Sequence, residues 1–268
     1  MGEHNRAVPW AGAYLKTAAM SAGTVGESPL FLLDYALRLL RVIVLLSLWR
    51  AILGDSSAAG AMSLGTVLTY TLISEVFAYQ LEARTTISNS FWEGTIVLRF
   101  LRPMGLVRQF VAESSGLWLV HFALFSIPLL LLAPALGVDP RPTSATAGAL
   151  FVLSLGLGIL VGLALEVLFA AITVALEQPV WLVHNMRTAI ATLLSGALLP
   201  LAYYPWGIGD VFAKLPFASM AWAPLAIYTG VTDPLPAILL QLGWVVILWP
   251  VANRVWTANR EKVAGYGG

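Results

Sequence analysis

Four ionisable side chains interrupt long apolar stretches of this sequence: Glu75, Glu113, His121 and Glu166. A carboxylate in apolar surroundings is costly, so such positions often line a route for ions, protons or polar cargo. Glu113 lies near the end of its apolar stretch and could be interfacial, whereas Glu75 and Glu166 lie deeper. We treat all four as candidate pathway residues. The alternative for the three carboxylates is a structural role as hydrogen-bond partners. For His121 the alternative is a role in helix packing.

A second group of distinctive residues lies in the long amphipathic stretch 82–109. We predict one rigid helix here, with its apolar side on the protein and its charged side chains facing solvent. Gly94 within this helix permits close approach of a partner, and Pro103 ends the helix. The candidate contact residues are Phe91, Trp92, Glu93, Gly94, Arg99 and Arg102. The alternative is an anchor that touches no partner.

Several kinds of chemistry find no support in the sequence. It lacks the G-x-x-x-x-G-K-[ST] loop that cradles nucleotide phosphates, so we expect that this chain by itself does not hold and hydrolyse ATP in the usual P-loop manner. The histidines His4, His121 and His184 do not have the spacing of metal ligands, and there is no cysteine. We therefore expect no catalytic site, no metal site and no cofactor in this chain.

The composition identifies the environment of these residues. Of 268 residues, 59% are hydrophobic and 11% are charged, against roughly 25% charged in soluble domains. A soluble fold of this size could not cover its surface with so few charges, so the chain is predicted to be an integral membrane protein. The net charge is +1, and there is no basic run typical of proteins that bind nucleic acid.

The elements that must position these residues are predicted to be six transmembrane helices in an all-α, polytopic fold. The predicted spans are 31–53, 64–81, 110–132, 147–176, 188–203 and 235–252. Residues 1–29 are predicted to contain an amphipathic helix in the membrane interface, with a disordered tail as the alternative. The segment 204–234 is rich in proline and aromatic residues, and we predict short re-entrant helices that rest on protein.

The basic residues predict the orientation of the spans. With six spans both termini share one side, and twelve of the fifteen lysines and arginines fall on that side. Because lysine and arginine are enriched in cytoplasmic loops, both termini and the 82–109 stretch are predicted to be cytoplasmic. The proline-rich 204–234 segment is then extracytoplasmic.

Three short motifs resemble those of the type-2 ABC exporter permeases. The first is Gly94-x-Ile96 followed by Leu101-Arg102-Pro103, and the second is the outer segment with Gly196 to Pro200, Leu215 to Phe217 and Pro224 to Gly230. The third is the ending Tyr266-Gly267-Gly268, which follows Trp256 and Arg260. The resemblance covers nearly the whole chain, although each motif is short.

This resemblance implies a single permease domain over residues 1–268 in the bacterial plasma membrane. It implies that the region from Phe91 to Arg102 is a coupling helix, which docks on a separate ATP-binding subunit. That partner would bind ATP and Mg²⁺, and a second permease half, identical or different, would complete the pathway within the lipid. The competing hypothesis is a secondary transporter or channel that is driven by an ion gradient and uses the intramembrane carboxylates. An intramembrane enzyme is a third hypothesis, but no nucleophile–base pair supports it.

Overall fold

A computed structural model describes residues 10–24, 31–54, 61–83, 85–102, 104–259 and 261–262 as a helical protein. Its helices are α1 Trp10–Thr24, α2 Phe31–Leu53, α3 Leu64–Val76, α4 Ala78–Leu81, α5 Ile87–Trp92, α6 Ile96–Arg99, α7 Leu106–His121, α8 Ile127–Leu132, α9 Ala145–Ala175, α10 Val180–Leu194, α11 Ile208–Phe212, α12 Pro216–Met220, α13 Trp222–Tyr228 and α14 Pro234–Ala258. A π-helical turn, Phe122–Ser126, joins α7 to α8. The predicted motif residues Pro103, Arg260 and Tyr266–Gly268 lie outside the described residues, as do residues 1–9 and 25–29 of the N-terminal segment.

Within the described residues, three helical stretches are long and apolar enough to cross a membrane: Leu106–Leu132, Ala145–Ala175 and Pro234–Ala258. α2 is 23 residues long but carries Asp34, Arg38, Arg41 and Arg50. Asp34 pairs with Arg38 one turn further along the helix, with 3.4 Å between the carboxylate oxygen and Arg38 Nε. These apolar helices agree with the prediction of a membrane protein, while the number of six crossings stays a prediction.

α9 is the central helix, because 72% of its most apolar stretch is buried inside the protein. It begins at Ser144, whose hydroxyl accepts a hydrogen bond from Ala147 N at 3.0 Å and so caps the helix. Gly158 and Gly162 provide its closest contacts. A Cβ at Gly158 would lie 2.9 Å from Met220 O, and one at Gly162 would lie 2.5 Å from Ala83 Cβ. These glycines therefore admit the backbone of α12 and the turn after α4.

α14 is fixed to α9 by a buried amide. Gln241 accepts a hydrogen bond from Ser154 Oγ at 2.8 Å, and it donates to Ser154 O at 3.0 Å and Ser219 O at 2.8 Å. Ser219 belongs to α12, so this one side chain joins three elements. All three residues are buried, and such satisfied polar groups specify the relative position of the helices they join.

The segment between α10 and α14 consists of short helices, as predicted for residues 204–234. α13 buries Leu225, Ala226 and Ile227, so its apolar side lies inside the protein. The Tyr228 hydroxyl donates a hydrogen bond to Pro140 O, and Trp244 Nε1 donates to Lys214 O at 3.0 Å. These bonds tie the segment to the loop before α9 and to α14. Whether these helices re-enter the lipid stays a prediction.

Four spans differ from their predicted bounds. The third begins at Leu106 rather than at residue 110, the sixth ends at Ala258 rather than at residue 252, and the fifth ends at Leu194 rather than at residue 203. α10 begins at Val180, eight residues before the predicted start at Thr188. The prediction was late because the polar residues between Glu177 and Arg187 indicate a break when only the sequence is considered. The second predicted span is interrupted after α3 at Phe77 (φ −105°, ψ 18°). There the Val76 carbonyl accepts a hydrogen bond of 2.5 Å from Ser126 in the π-helical turn. The π-helical turn thus contains the serine whose hydroxyl bonds to the backbone at the break after α3.

Candidate functional site

The predicted coupling helix is two short helices, α5 and α6, rather than one continuous helix. Gly94 lies between them with φ +69°, a left-handed conformation that ends α5 and redirects the chain. The last bonds of α5 run from Glu93 N to Asn89 O and from Gly94 N to Phe91 O. Gly94 is therefore needed for the turn, and the expectation of a single rigid helix is wrong.

One side of this double helix faces the protein. Ile87, Phe91 and Ile96 are almost completely buried and pack with Phe110 and Val174 in one apolar cluster. The Phe91 ring also meets the Trp256 ring edge-on, with 6.5 Å between centroids. Phe91 thus lies inside the protein, where it anchors the loop.

The opposite side is apolar and exposed. The exposed fractions of Trp92, Leu98 and Leu101 are 69%, 63% and 82%, and Val97 lies beside them at 36%. Glu93 is also exposed. We call Trp92, Val97, Leu98 and Leu101 the exposed loop patch. A patch of large apolar side chains on a polar loop is typical of a surface that contacts another protein or a membrane.

Glu113 on α7 holds this loop in place. Arg99 Nη1 lies 2.6 Å and Arg102 Nη1 lies 3.3 Å from the same oxygen, Glu113 Oε1. Thr86 donates to the other oxygen, Oε2, at 2.9 Å. The guanidinium carbon of Arg99 also lies 4.4 Å from the centroid of the Phe110 ring. Three of the predicted site residues, Arg99, Arg102 and Glu113, therefore form one cluster.

Gln109 adds neutral hydrogen bonds to the same junction. Its Nε2 donates to Arg99 O at 2.9 Å and to Met104 O at 2.5 Å, and the side chain is fully buried. The loop is thus attached to the first turns of α7 through both side chains and backbone. Movement of the loop would act directly on α7.

The other two carboxylates are also paired with arginines. Arg187 Nε on α10 lies 2.7 Å from Glu166 Oε2 on α9, so the two side chains form an ion pair. The Nε–H group does not point at this oxygen, and the pair is therefore not also a hydrogen bond. Thr85 donates to Glu166 Oε1 at 3.0 Å. Glu75 Oε1 on α3 lies 3.1 Å from Arg41 Nη2 on α2. These pairs link neighbouring helices and reduce the cost of burying the charges.

Arg41, Glu166 and Arg187 line a cavity of about 350 Å³ against α10. We call it the α10 cavity. Its polar lining follows one side of α10 at helical spacing, with His184, Thr188, Thr192 and Ser195. Leu81, Ala191 and Met220 are among its apolar residues. Most of the lining side chains can therefore make hydrogen bonds, although the helices that carry them are apolar overall.

His121 lies apart from the α10 cavity, in an aromatic stack. Its ring is parallel to that of Tyr79, at 4.1 Å between centroids and 16° between planes. The Arg38 guanidinium carbon lies 4.2 Å from the Tyr79 centroid. In the part of the chain that the structure describes, no group of three or more His, Asp or Glu residues is placed to hold a metal ion.

Sequence reasoning identified the carboxylates but missed their partners. The partners Arg41 and Arg187 were not among the candidate residues, yet both lie beside acids in the helical bundle. The usable signal was the presence of arginines in or next to apolar stretches. Such residues are rarely left without an acidic neighbour.

Comparison with known proteins identifies the family of this chain. Residues 32–267 match the family described as ABC-2 family transporter protein. No curated protein and no solved structure matches the chain. Because the match covers most of the chain, this protein belongs to the ABC-2 transporter family, and the resemblance inferred from its motifs is confirmed.

Proposed function

We propose that this chain is the permease subunit of an ATP-driven exporter. In this proposal it crosses the bacterial plasma membrane six times, through α2, α3–α4, α7–α8, α9, α10 and α14, with both termini in the cytoplasm. A separate ATP-binding cassette subunit binds ATP and Mg²⁺ and supplies the work of transport. The observation that carries the proposal is the exposed loop patch, held against α7 by the cluster of Arg99, Arg102 and Glu113.

The exposed loop patch is the proposed docking surface for the ATPase. Burial of a large apolar side chain contributes about 1.5–3 kcal/mol, so Trp92, Leu98 and Leu101 together could support a stable contact. Glu93 lies beside them and can pair with a positive group on the partner. The residues named for coupling then divide into two roles. Trp92 and Glu93 contact the ATPase, whereas Phe91, Gly94, Arg99 and Arg102 shape and hold the loop.

Force would pass from the loop by two routes. The first is Arg99 and Arg102 to Glu113, which moves α7. The second starts at Thr85, just before α5, and reaches Glu166 on α9 and its partner Arg187 on α10. Both routes consist of charged or hydrogen-bonded contacts, which transmit displacement better than a flexible loop would. ATP-driven movement at the loop would in this way change the position of α10.

The α10 cavity is the proposed wall of the translocation pathway. It is lined from α2, from the turn after α4, from α9 and from α10. A second permease half, identical or homologous, would pack against this part of the chain and complete a route between two subunits. Polar side chains facing such a route would replace water around a polar part of the cargo.

A transporter driven by an ion gradient is less well supported. That alternative needs carboxylates that exchange protons or cations during the cycle. Glu75, Glu113 and Glu166 each lie within 3.3 Å of an arginine nitrogen that links them to another helix or to the loop. The arginine pairs therefore favour a structural role for these acids.

Co-purification with the candidate ATPase tests the proposal. The full chain is expressed together with a candidate P-loop ATPase, and the double variant Trp92→Ser/Leu98→Ser is compared with the parent. We expect at least about tenfold less ATPase to be retained, because two exposed apolar contacts are lost. The control is Leu119→Ser/Leu124→Ser, which changes two exposed apolar side chains on the span that follows the loop. Equal retention by the parent and by the loop variant would refute the docking surface.

A further inference from the structure

A second cavity lies where the cytoplasmic loop, the start of α7 and the end of α14 meet. It has a volume of about 430 Å³, and its lining includes Arg99, Phe100, Arg102, Met104, Leu106 and Trp256. We call it the Arg102 cavity. We propose that it binds the anionic headgroup of a phospholipid. This inference uses the membrane topology proposed above, but it does not depend on the ATPase.

The charge of the cavity wall favours an anion. Two guanidinium groups, Arg99 and Arg102, share the single carboxylate of Glu113, so the cluster carries one excess positive charge. Arg99 is held closely at 2.6 Å and is 14% exposed, whereas Arg102 lies at 3.3 Å and is 54% exposed. Arginine has five N–H donors in a planar fork that matches phosphate oxygens. Arg102 therefore has donors to offer to a phosphate in the cavity.

The first turn of α7 adds to this attraction. The helix is 16 residues long and begins after Gly105, which provides no side-chain cap. The first backbone N–H groups of a helix have no acceptor within the helix, and this end carries a partial positive charge. Gly105 and Leu106 both line the cavity. An anion bound by Arg102 would thus lie near the start of the helix as well.

The remainder of the lining favours a lipid over a small inorganic anion. Phe100, Met104, Leu106 and Trp256 give the cavity an apolar side. α7 begins the helical stretch Leu106–Leu132, which is long enough to cross a membrane, as is α14. The cavity lies at the ends of these stretches that the proposed topology places in the cytoplasm. Tryptophan and arginine at such a boundary commonly contact lipid headgroups. A phospholipid would place its phosphate on Arg102 and its glycerol and upper acyl chain along the apolar side.

Native mass spectrometry of the full chain, without ATPase, tests the proposal. The protein is released from nanodiscs made of equimolar phosphatidylglycerol and phosphatidylcholine, and the bound lipids are counted. We expect preferential retention of phosphatidylglycerol, reduced about tenfold by Arg102→Gln because a charge-assisted contact is lost. The matched control is Arg108→Gln. Arg108 is exposed on the first turns of the same helix but does not line the cavity, so its removal should leave retention unchanged.

Three results would overturn the inference. Equal losses in Arg102→Gln and Arg108→Gln would mean that lipid is attracted by general surface charge. Displacement of phosphatidylglycerol by millimolar inorganic phosphate, with no preference left for the lipid, would assign the site to a free anion. If Arg102→Gln instead lowered ATPase co-purification while lipid retention stayed the same, Arg102 would belong to the ATPase interface. None of the three results would refute the proposed exporter function, and the last one would support it.

Discussion

Replacing Glu113 with Gln should weaken the attachment of the 85–102 loop to α7. The substitution keeps the shape of the side chain but removes the charge that Arg99 and Arg102 share. Side chains of Arg99 and Glu113 are only 14% and 11% exposed, and breaking a buried ion pair costs about 3–5 kcal/mol. Arg99 keeps its contact with the Phe110 ring, so the lower end of this range, about 3 kcal/mol, is expected.

The two arginines should contribute very differently. Arg102 is 54% exposed and lies 3.3 Å from the carboxylate, and exposed ion pairs contribute about 0.2–1 kcal/mol. Double-mutant cycles with Arg99→Gln, Arg102→Gln and Glu113→Gln separate the two pair energies. We expect a coupling energy of about 2–3 kcal/mol for Arg99 with Glu113, and below about 1 kcal/mol for Arg102 with Glu113.

Unfolding in mixed micelles of mild detergent and dodecyl sulfate would supply these free energies. Hydrogen exchange provides a local measurement, because loss of the Glu113 charge should accelerate exchange of the amides in 85–102 more than those in α9. A coupling energy for Arg102 that equals or exceeds that of Arg99 would refute the reasoning. So would unchanged exchange in the loop of Glu113→Gln.

Three further predictions follow from the packing and the proposed topology. Gly158→Ala should destabilise the protein by about 1–3 kcal/mol because its Cβ would contact the backbone at Met220. The control Gly156→Ala should not destabilise it, because a Cβ there has open space. Equal unfolding midpoints for the two variants would contradict this. Gln241→Leu should cost about 1–3 kcal/mol in the same assay, since two serines lose a buried partner, and a stabilised variant would count against the network. In intact cells, Asp210→Cys should react with an impermeant thiol reagent and Glu93→Cys should not; both positions are exposed, and the reverse pattern would invert the topology.

Long apolar runs could be located from sequence with small errors. α2 has the predicted bounds, and α9 lies within two residues of its prediction at the start and within one at the end. The start of α10 was misplaced because Arg187 made its first turns look too polar for a span. In the fold Arg187 is paired with Glu166, a contact that exists only once α9 and α10 pack together. Local patterning cannot reveal such a contact.

The site was predictable in its residue types and not in its pairings. Sequence singled out Arg99 and Glu113 separately, one for docking and the other for a pathway, although they form a single ion pair. The two lie on separate helices joined by a loop, and helical periodicity says nothing about how those helices meet. The left-handed backbone of Gly94 could have been suspected, because glycine within an amphipathic run often marks a turn.

Photocrosslinking from the exposed loop patch tests the central claim most directly. A benzophenone amino acid is placed at Leu98 in the full chain and irradiated in native membranes, with Leu119 as the control position. The account predicts that the Leu98 position forms an adduct with a polypeptide whose peptides contain a phosphate-binding loop, and that the Leu119 position does not. Adducts from Leu98 with lipid alone, or with another copy of this chain alone, would contradict the assignment of this loop as the contact with an ATPase.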